Sequence, residues 1–337
     1  MLGTQAWGEA MFQNLDRRKF VLTSSVALAT GLVTPVAAQL AKPVLTTRRL
    51  NNVMIAVSDL DKSVEFYQKL FGTPALDGDV AIIRIGDGPH FLGLTRVKNG
   101  GLPGFLSYGL TVDNFDPVRV ANALTTIGAQ SQITHRARTP EIWTHDPDNI
   151  KIQLQHTSYG HGSGLLGAVT QRVPPEAKPA FNLKTISHVT LTNSNGPRSL
   201  DFYMRAFGWT VQSKQGAAWC FSVGEGLDCV VFNATVNNPN AKTGINHACF
   251  TMPAFDPNTV MGILIDHGLE PIEYGNSALI KPLTCRTRFR QRANNGGGPR
   301  HWLGTAELYF NDPDNIAMQL QDISYCGGSG LQGEVCP

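Results

Sequence analysis

The same run of sequence occurs twice in this chain, and that repeat limits the possible folds more than any other feature. Ser63-Val64-Glu65-Phe66-Tyr67, followed by Leu70-Phe71-Gly72, returns as Ser199-Leu200-Asp201-Phe202-Tyr203, followed by Ala206-Phe207-Gly208. Phe115-Asp116-Pro117 returns as Phe255-Asp256-Pro257, and Asp146-Pro147-Asp148-Asn149-Ile150 with Gln153-Leu154-Gln155 returns as Asp312-Pro313-Asp314-Asn315-Ile316 with Gln319-Leu320-Gln321. Ser158-Tyr159 and Gly162-Ser163-Gly164-Leu165 match Ser324-Tyr325 and Gly328-Ser329-Gly330-Leu331. Matched blocks in one order imply two copies of a single framework, and 337 residues leave room for two domains of ordinary size.

Within the first copy the spacing predicts a strand over Asn52 to Val57 and a helix over Leu60 to Phe71 stopped by Gly72. A hairpin follows, Val80 to Ile85 and Phe91 to Leu94 around Gly86-Asp87-Gly88. Leu106 to Val112 reads as a strand. Pro117 opens a second helix that ends at Gly128, with Val120, Leu124 and Ile127 on one apolar face. Asp146-Pro147-Asp148-Asn149 is the turn of a closing hairpin, and Pro174-Pro175 and Pro179 mark residues 166–183 as a linker.

The first 38 residues are of another kind. Arg17-Arg18-Lys19-Phe20-Val21 precedes a short apolar stretch, Val26 to Val33, and then the small residues Val36-Ala37-Ala38. This reads as a twin-arginine-type export signal over residues 1–38, with Met11 as an alternative start, and it implies a periplasmic or secreted protein. All six cysteines (Cys220, Cys229, Cys249, Cys285, Cys326 and Cys336) lie in the second half of the chain without the spacing of a metal-binding Cys pair. Cys220 and Cys229 would face each other across a hairpin if Gly224-Glu225 were a two-residue turn; buried thiols are the other reading. The net charge of +2 gives no reason to expect a nucleic-acid partner, and no apolar run reaches the roughly 20 residues of a membrane span.

Paired βαβββ units with Phe-Tyr in the first helix and Asp-Pro-Asp in the last hairpin resemble the vicinal oxygen chelate family, which includes glyoxalases, extradiol dioxygenases and bleomycin-resistance proteins. The resemblance implies an α+β fold of two tandem domains, residues 48–165 and 184–325, each a curved mixed sheet around a cavity, with 326–337 as a tail. Two such domains in one chain are similar to the type I extradiol dioxygenases.

By that resemblance the metal-ligand positions of the second domain hold His188, His247 and Gln319, whereas those of the first hold Asn52, Ser107 and Gln153, so a metal is expected only in the second. Two imidazoles and an oxygen donor suit a divalent metal, iron(II) first, with manganese(II) or zinc(II) as alternatives. The family's third ligand is usually Glu; Gln319 supplies an amide oxygen without charge. Glu307, two residues before Tyr309 and so on the same strand face, is a candidate substitute. The resemblance also gives Tyr309 and His301 proton-handling roles. A histidine expected shortly before His247 is missing, Asn233 being the nearest polar residue.

An extra segment, about Leu279 to Gly298, carries Arg286, Arg288, Arg290 and Arg292 in alternation, which in extended chain puts all four on one side. Such a basic edge favours an anionic small-molecule substrate. The expected activity is extradiol-type cleavage with dioxygen, the first domain acting as a structural partner. Glyoxalase-like lyase, isomerase or hydrolase chemistry and non-catalytic small-molecule binding are the alternatives, and homo-oligomerisation is left open.

Overall fold

The computed structural model describes residues 42–77, 79–136, 139–159, 170–171, 178–215, 218–233, 237–272, 281–290 and 305–325. The export signal, His301, Arg292, Cys326 and Cys336 lie outside them, as does the side chain of Arg290.

The first half runs β1 (Thr47–Val57), α1 (Leu60–Phe71), β2 (Ala75–Asp77), β3 (Val80–Arg84), β4 (Phe91–Arg96), β5 (Gly104–Val112), α2 (Pro117–Thr126), β6 (Ser131–Arg136), β7 (Thr139–His145), β8 (Lys151–His156) and β9 (Thr170–Gln171). The second runs β10 (Thr185–Thr192), α3 (Gly196–Phe207), β11 (Val211–Gln215), β12 (Ala218–Ser222), β13 (Cys229–Phe232), β14 (Gly244–Met252), α4 (Pro257–Asp266), β15 (Glu270–Pro271), β16 (Thr284–Arg290), β17 (Thr305–Asn311) and β18 (Ala317–Asp322). Each half forms a nine-stranded mixed sheet, ordered β6-β7-β8-β5-β1-β4-β3-β2-β9 and β11-β12-β13-β10-β14-β18-β17-β16-β15. β1 is parallel to β4 and β5 to β8, while β1 and β5 are antiparallel, as two βαβββ units joined edge to edge require. β10 and β14 repeat the arrangement.

Local chemistry explains the repeated motifs. Asp116 and Asp256 are helix N-caps that accept from the backbone N–H of Arg119 and Thr259, with Pro117 and Pro257 opening the helices behind them. In the closing turns, Asp146 Oδ1 accepts from the N–H groups of Asp148 and Ile150, and Asp312 Oδ1 from those of Asp314 and Ile316. Asn149 and Asn315 take the left-handed conformation these turns need, φ 63° and 65°.

The other oxygen of each carboxylate reaches into the opposite half. Tyr203 donates to Asp146 Oδ2 at 3.0 Å, and Tyr67 donates to Asp312 Oδ2 at 3.0 Å. Asp148 accepts from Ser194 N–H, Ser194 Oγ, Ser199 Oγ and Arg198, while Asp314 accepts from the N–H and Oγ of Ser58. Phe-Tyr and Asp-Pro-Asp are therefore the two sides of a reciprocal clamp between the halves. A shared apolar core backs it, with Phe71 packed on Phe250 and Phe310.

Two readings are refined here. Residues 166–183 are more than a connector: Thr170 pairs with Leu76 in the first sheet, and Phe181 and Leu183 are buried in the common core. The β12–β13 turn is longer than two residues, because β12 ends at Ser222 and β13 starts at Cys229. Cys220 consequently pairs with Val231 and Cys229 with Ser222, so the two thiols are diagonal rather than opposite.

Burial lifts the carboxyls of Asp146 and Asp312 to about 6, against the pull of the donors just named. A carboxyl raised in the folded state holds its proton more tightly there than in the unfolded chain, so stability falls as pH rises from about 4 to 6. Each group costs on the order of 3 kcal/mol above that window. Thermal melts of Asp312→Asn between pH 4.5 and 7.5 are expected to show a shallower loss of stability with rising pH than wild type; an unchanged slope would remove Asp312 as its source.

Candidate functional site

A break in strand pairing puts the first histidine into the cavity. β10 and β14 pair Ile186 with Phe250 and then His188 with Cys249, so the pairing skips Ser187. Such a bulge turns successive side chains toward one face. Ser187 and His188 contact each other through Oγ and Nδ1 at 3.3 Å, while Ile186 and Val189 enter the core. A second irregularity, between Thr190/His247 and Leu191/Ile245, shifts β14 in the same way. His188 pairs with Cys249, Cys249 with Gln319 and Gln319 with Tyr309, and Tyr309 with Arg286, which fixes one row across β10, β14, β18, β17 and β16.

That row floors a cavity of about 680 Å³ lined by His188, His247, Gln319, Tyr309, Arg286 and Arg288, among others. Asn233 lines it too. The imidazoles meet at their Nε2 atoms, 3.4 Å apart, with the rings edge to face. His247 Nδ1 sits 2.8 Å from Asn246 Oδ1, an acceptor that keeps the proton on Nδ1, and Thr190 Oγ1 lies 3.1 Å from Nε2. The unprotonated Nε2 of His247 is thereby presented beside the Nε2 of His188. A spacing of 3.4 Å is one that two metal–nitrogen bonds of about 2.0–2.1 Å span.

Gln319 is 1% exposed, yet neither its Oε1 nor its Nε2 has a hydrogen-bond partner among the described residues. Burying an amide with both ends unsatisfied costs a few kcal/mol, a cost that a polar group entering the cavity beside it would offset. The first half shows the satisfied version. There Asn52 occupies the place of His188 and donates to Gln153 Oε1 at 3.0 Å, and Val80, Ile82, Phe91 and Tyr159 pack together with Met54. Among the described residues no three of His, Cys, Asp and Glu converge as a metal set, and Gln319 brings an amide to the same cavity lining as the two histidines.

Glu307 is fully buried on the same face, but both its oxygens are taken. Tyr309 donates to Oε2 and Tyr325 to Oε1, each at 2.9 Å. The Tyr309 ring stands edge-on to His247 and the Tyr325 ring lies along His188, with centroids 5.3 and 5.6 Å apart. Glu307 thus fixes two rings, each packed on one imidazole. Burial and the nearby Glu307 charge hold the Tyr325 phenol well above its ordinary range. Arg286 lies over the Tyr309 ring, 5.7 Å from its centroid.

Sequence reasoning missed one contributor. Pro103, Gly104 and Phe105, from the first half, also line this cavity, so that half is more than the purely structural partner expected. The signal was absent because it depends on how the halves pack. His90 is buried between Leu50 O and Thr185 Oγ1.

Residues 49–154 match the model of the Glyoxalase/Bleomycin resistance protein/Dioxygenase superfamily. No curated protein sequence matches the chain. Among solved structures it is similar to homoprotocatechuate 2,3-dioxygenase from Arthrobacter globiformis, at 17% identity and a TM-score of 0.54 over 83% of this chain and 82% of that one. An extradiol ring-cleaving dioxygenase from Brevibacterium fuscum matches at 17% identity and a TM-score of 0.54, over 85% and 75%. A catechol 2,3-dioxygenase matches at 13% and 0.55, over 82% and 88%. At such identities the likeness is one of fold.

Proposed function

We infer that the second-half cavity is the active site of a metal-dependent enzyme acting on a small molecule with adjacent oxygen donors, since residues 49–154 match the model of the Glyoxalase/Bleomycin resistance protein/Dioxygenase superfamily and the second half repeats their fold. The unpartnered Gln319 amide beside the converging histidines carries this reading. His188 Nε2, His247 Nε2 and Gln319 Oε1 would hold one divalent cation, iron(II) by preference, with manganese(II) or zinc(II) as alternatives. Such a cation polarises two adjacent substrate oxygens and, as iron(II), activates dioxygen. With its carboxylate committed to two phenols, Glu307 positions Tyr309 and Tyr325 and is not the third donor.

The leading activity is extradiol-type ring cleavage, the chemistry named for the similar solved proteins. Tyr309 lines the cavity with its hydroxyl hydrogen on Glu307, so its oxygen is placed to accept a hydrogen bond from a substrate hydroxyl. His301 is retained as a second proton-handling candidate. Asn233 stands on the cavity wall where a titratable group would otherwise assist, and it can orient a ligand without exchanging protons with it.

Asn233 and the uncharged donor set favour a second reading, a lyase, isomerase or hydrolase reaction without dioxygen. Oxygen-electrode assays with a catechol panel on iron-loaded protein decide between them. Extradiol cleavage predicts uptake of one O₂ per ring opened, reduced at least roughly 100-fold in Tyr309→Phe. Metal-dependent turnover without oxygen uptake would establish the second reading instead. We also place the protein in the periplasm or outside the cell; accumulation of an Arg17→Lys/Arg18→Lys precursor in the cytoplasm would test that.

A further inference from the structure

Four polar places recur in the two sheets, and three of them hold the same residue types. In the first half Gln153 pairs with Trp143 of β7 and Gly109 of β5, and Gly109 pairs with Asn52 of β1. In the second, Gln319 pairs with Tyr309 of β17 and Cys249 of β14, and Cys249 pairs with His188 of β10. Glu141 and Glu307 stand two residues before Trp143 and Tyr309, and Tyr159 and Tyr325 stand six after the two glutamines. Both glutamates, both glutamines and both tyrosines are buried. The fourth place changes from Asn52 to His188.

In the first half the four side chains form a directed chain. Tyr159 donates to Glu141 Oε1, so its own oxygen accepts, and Gln153 Nε2 donates to it at 3.4 Å. With its nitrogen on the phenol, Gln153 turns its Oε1 the other way, where it accepts from Asn52 Nδ2 at 3.0 Å. The two ends of an amide have nearly the same shape, and their partners decide which end points where. A carboxylate accepts and does not donate, so Glu141 sets the direction of the amide two hydrogen bonds away.

The second half keeps the first link, Tyr325 donating to Glu307 Oε1 at 2.9 Å. Tyr325 oxygen is therefore an acceptor as well, on the same cavity lining as Gln319, whose Nε2 and Oε1 have no partner among the described residues. His188 replaces the donor that ends the chain in the first half, and its Nε2 lies 3.4 Å from that of His247. An amide oxygen beside two imidazole nitrogens suits an electron-pair acceptor, a cation.

We propose that Tyr325, held by Glu307, is a positioning residue that takes the Gln319 amide by its Nε2 and so presents Oε1 to the cation at His188 and His247. The first half keeps the same chain with Asn52 Nδ2 in the cation's place. The proposal rests on the metal reading above and adds to it: a neutral amide serves as third donor because a carboxylate behind it sets its direction. A carboxylate at position 319 would not need that direction, since both its ends are oxygen.

The test titrates zinc(II) calorimetrically into full-length protein stripped of metal, in a double-mutant cycle. Tyr325→Phe keeps the ring on His188 and removes the hydroxyl. It is expected to weaken zinc(II) binding about 10-fold when residue 319 is Gln, and less than about 2-fold in the Gln319→Glu background. Tyr159→Phe removes the twin hydroxyl from the first half and should leave zinc(II) affinity unchanged. Equal losses in the two backgrounds, or no loss when residue 319 is Gln, would overturn the proposal and leave the metal reading standing. Zinc(II) bound by neither wild type nor Gln319→Glu would remove the metal reading, and the proposal with it. Should Tyr325→Phe not fold, side-chain amide exchange in wild type carrying isotope-labelled glutamine decides. The signal missing from Gln319→Glu is expected to exchange at least about 10-fold more slowly once zinc(II) is bound, and an unchanged rate would overturn the proposal.

Discussion

His188→Ala protein is expected to lose its divalent cation: iron or manganese per chain should fall from near one to near zero, with affinity reduced by at least roughly 100-fold. His188 brings one of two nitrogen donors 3.4 Å apart, and the remaining set would be a single imidazole and a neutral amide. Gln319→Glu should do the opposite. Its carboxylate adds a negative charge where the amide has none, and at an effective dielectric of about 20 a charge pair at 4 Å is worth about 4 kcal/mol before the cost of burying the new charge. A gain of ten-fold or more in metal affinity is therefore expected. Metal analysis and competition with a chelator read both outcomes without any assay of turnover. Full metal content in His188→Ala would refute the assignment.

Gly86→Ala is expected to be the most damaging single-methyl change in the first half. A Cβ at Gly86 would lie 2.1 Å from the carbonyl oxygen of Lys184 and 2.8 Å from its carbon, and the residue already sits at φ 66°. The added methyl meets backbone, which cannot rotate away, so overpacking of about 1–3 kcal/mol adds to a left-handed penalty of about 1–2 kcal/mol. The same approach recurs in the other half, where a Cβ at Gly224 would stand 2.0 Å from Arg48 O. A melting point lowered by roughly 5–15 °C is the expected reading. Gly100→Ala is the control, since it shares the positive φ, 69°, but has open space around its Cβ; equal effects would show that the close approach contributes nothing.

Much of the fold was legible because it is written twice. The matched Phe-Tyr, Phe-Asp-Pro and Asp-Pro-Asp blocks mark a helix, a cap and a turn in each copy, and the helix over Leu60–Phe71 has the boundaries its capping residues predict. The candidate site was legible at His188, His247, Gln319, Tyr309 and Glu307 as residue types at spaced positions, and the structure sets all five on one sheet face. Register was not legible. Skipping one residue at Ser187 or Leu106 changes which neighbour faces the cavity, and nothing in a single strand's alternation announces a skip. The diagonal placement of Cys220 and Cys229 has the same origin, a loop longer than its Gly-Glu pair suggests. Phe105 escaped notice for a different reason: its role exists only once the halves meet.

The reciprocal clamp has a consequence for how the polypeptide behaves when cut. Each half carries both the phenol that its companion's turn requires and the turn that its companion's phenol requires, so neither surface is complete alone. This is the self-complementary patch of a two-fold homodimer, here made within one chain. Two separately expressed fragments, 42–165 and 178–325, should each expose an apolar face and aggregate or pair with themselves. Mixed, they should reassemble into a one-to-one complex that restores the cavity lined by Phe105 and the two histidines, because covalent continuity between them sets only their effective concentration.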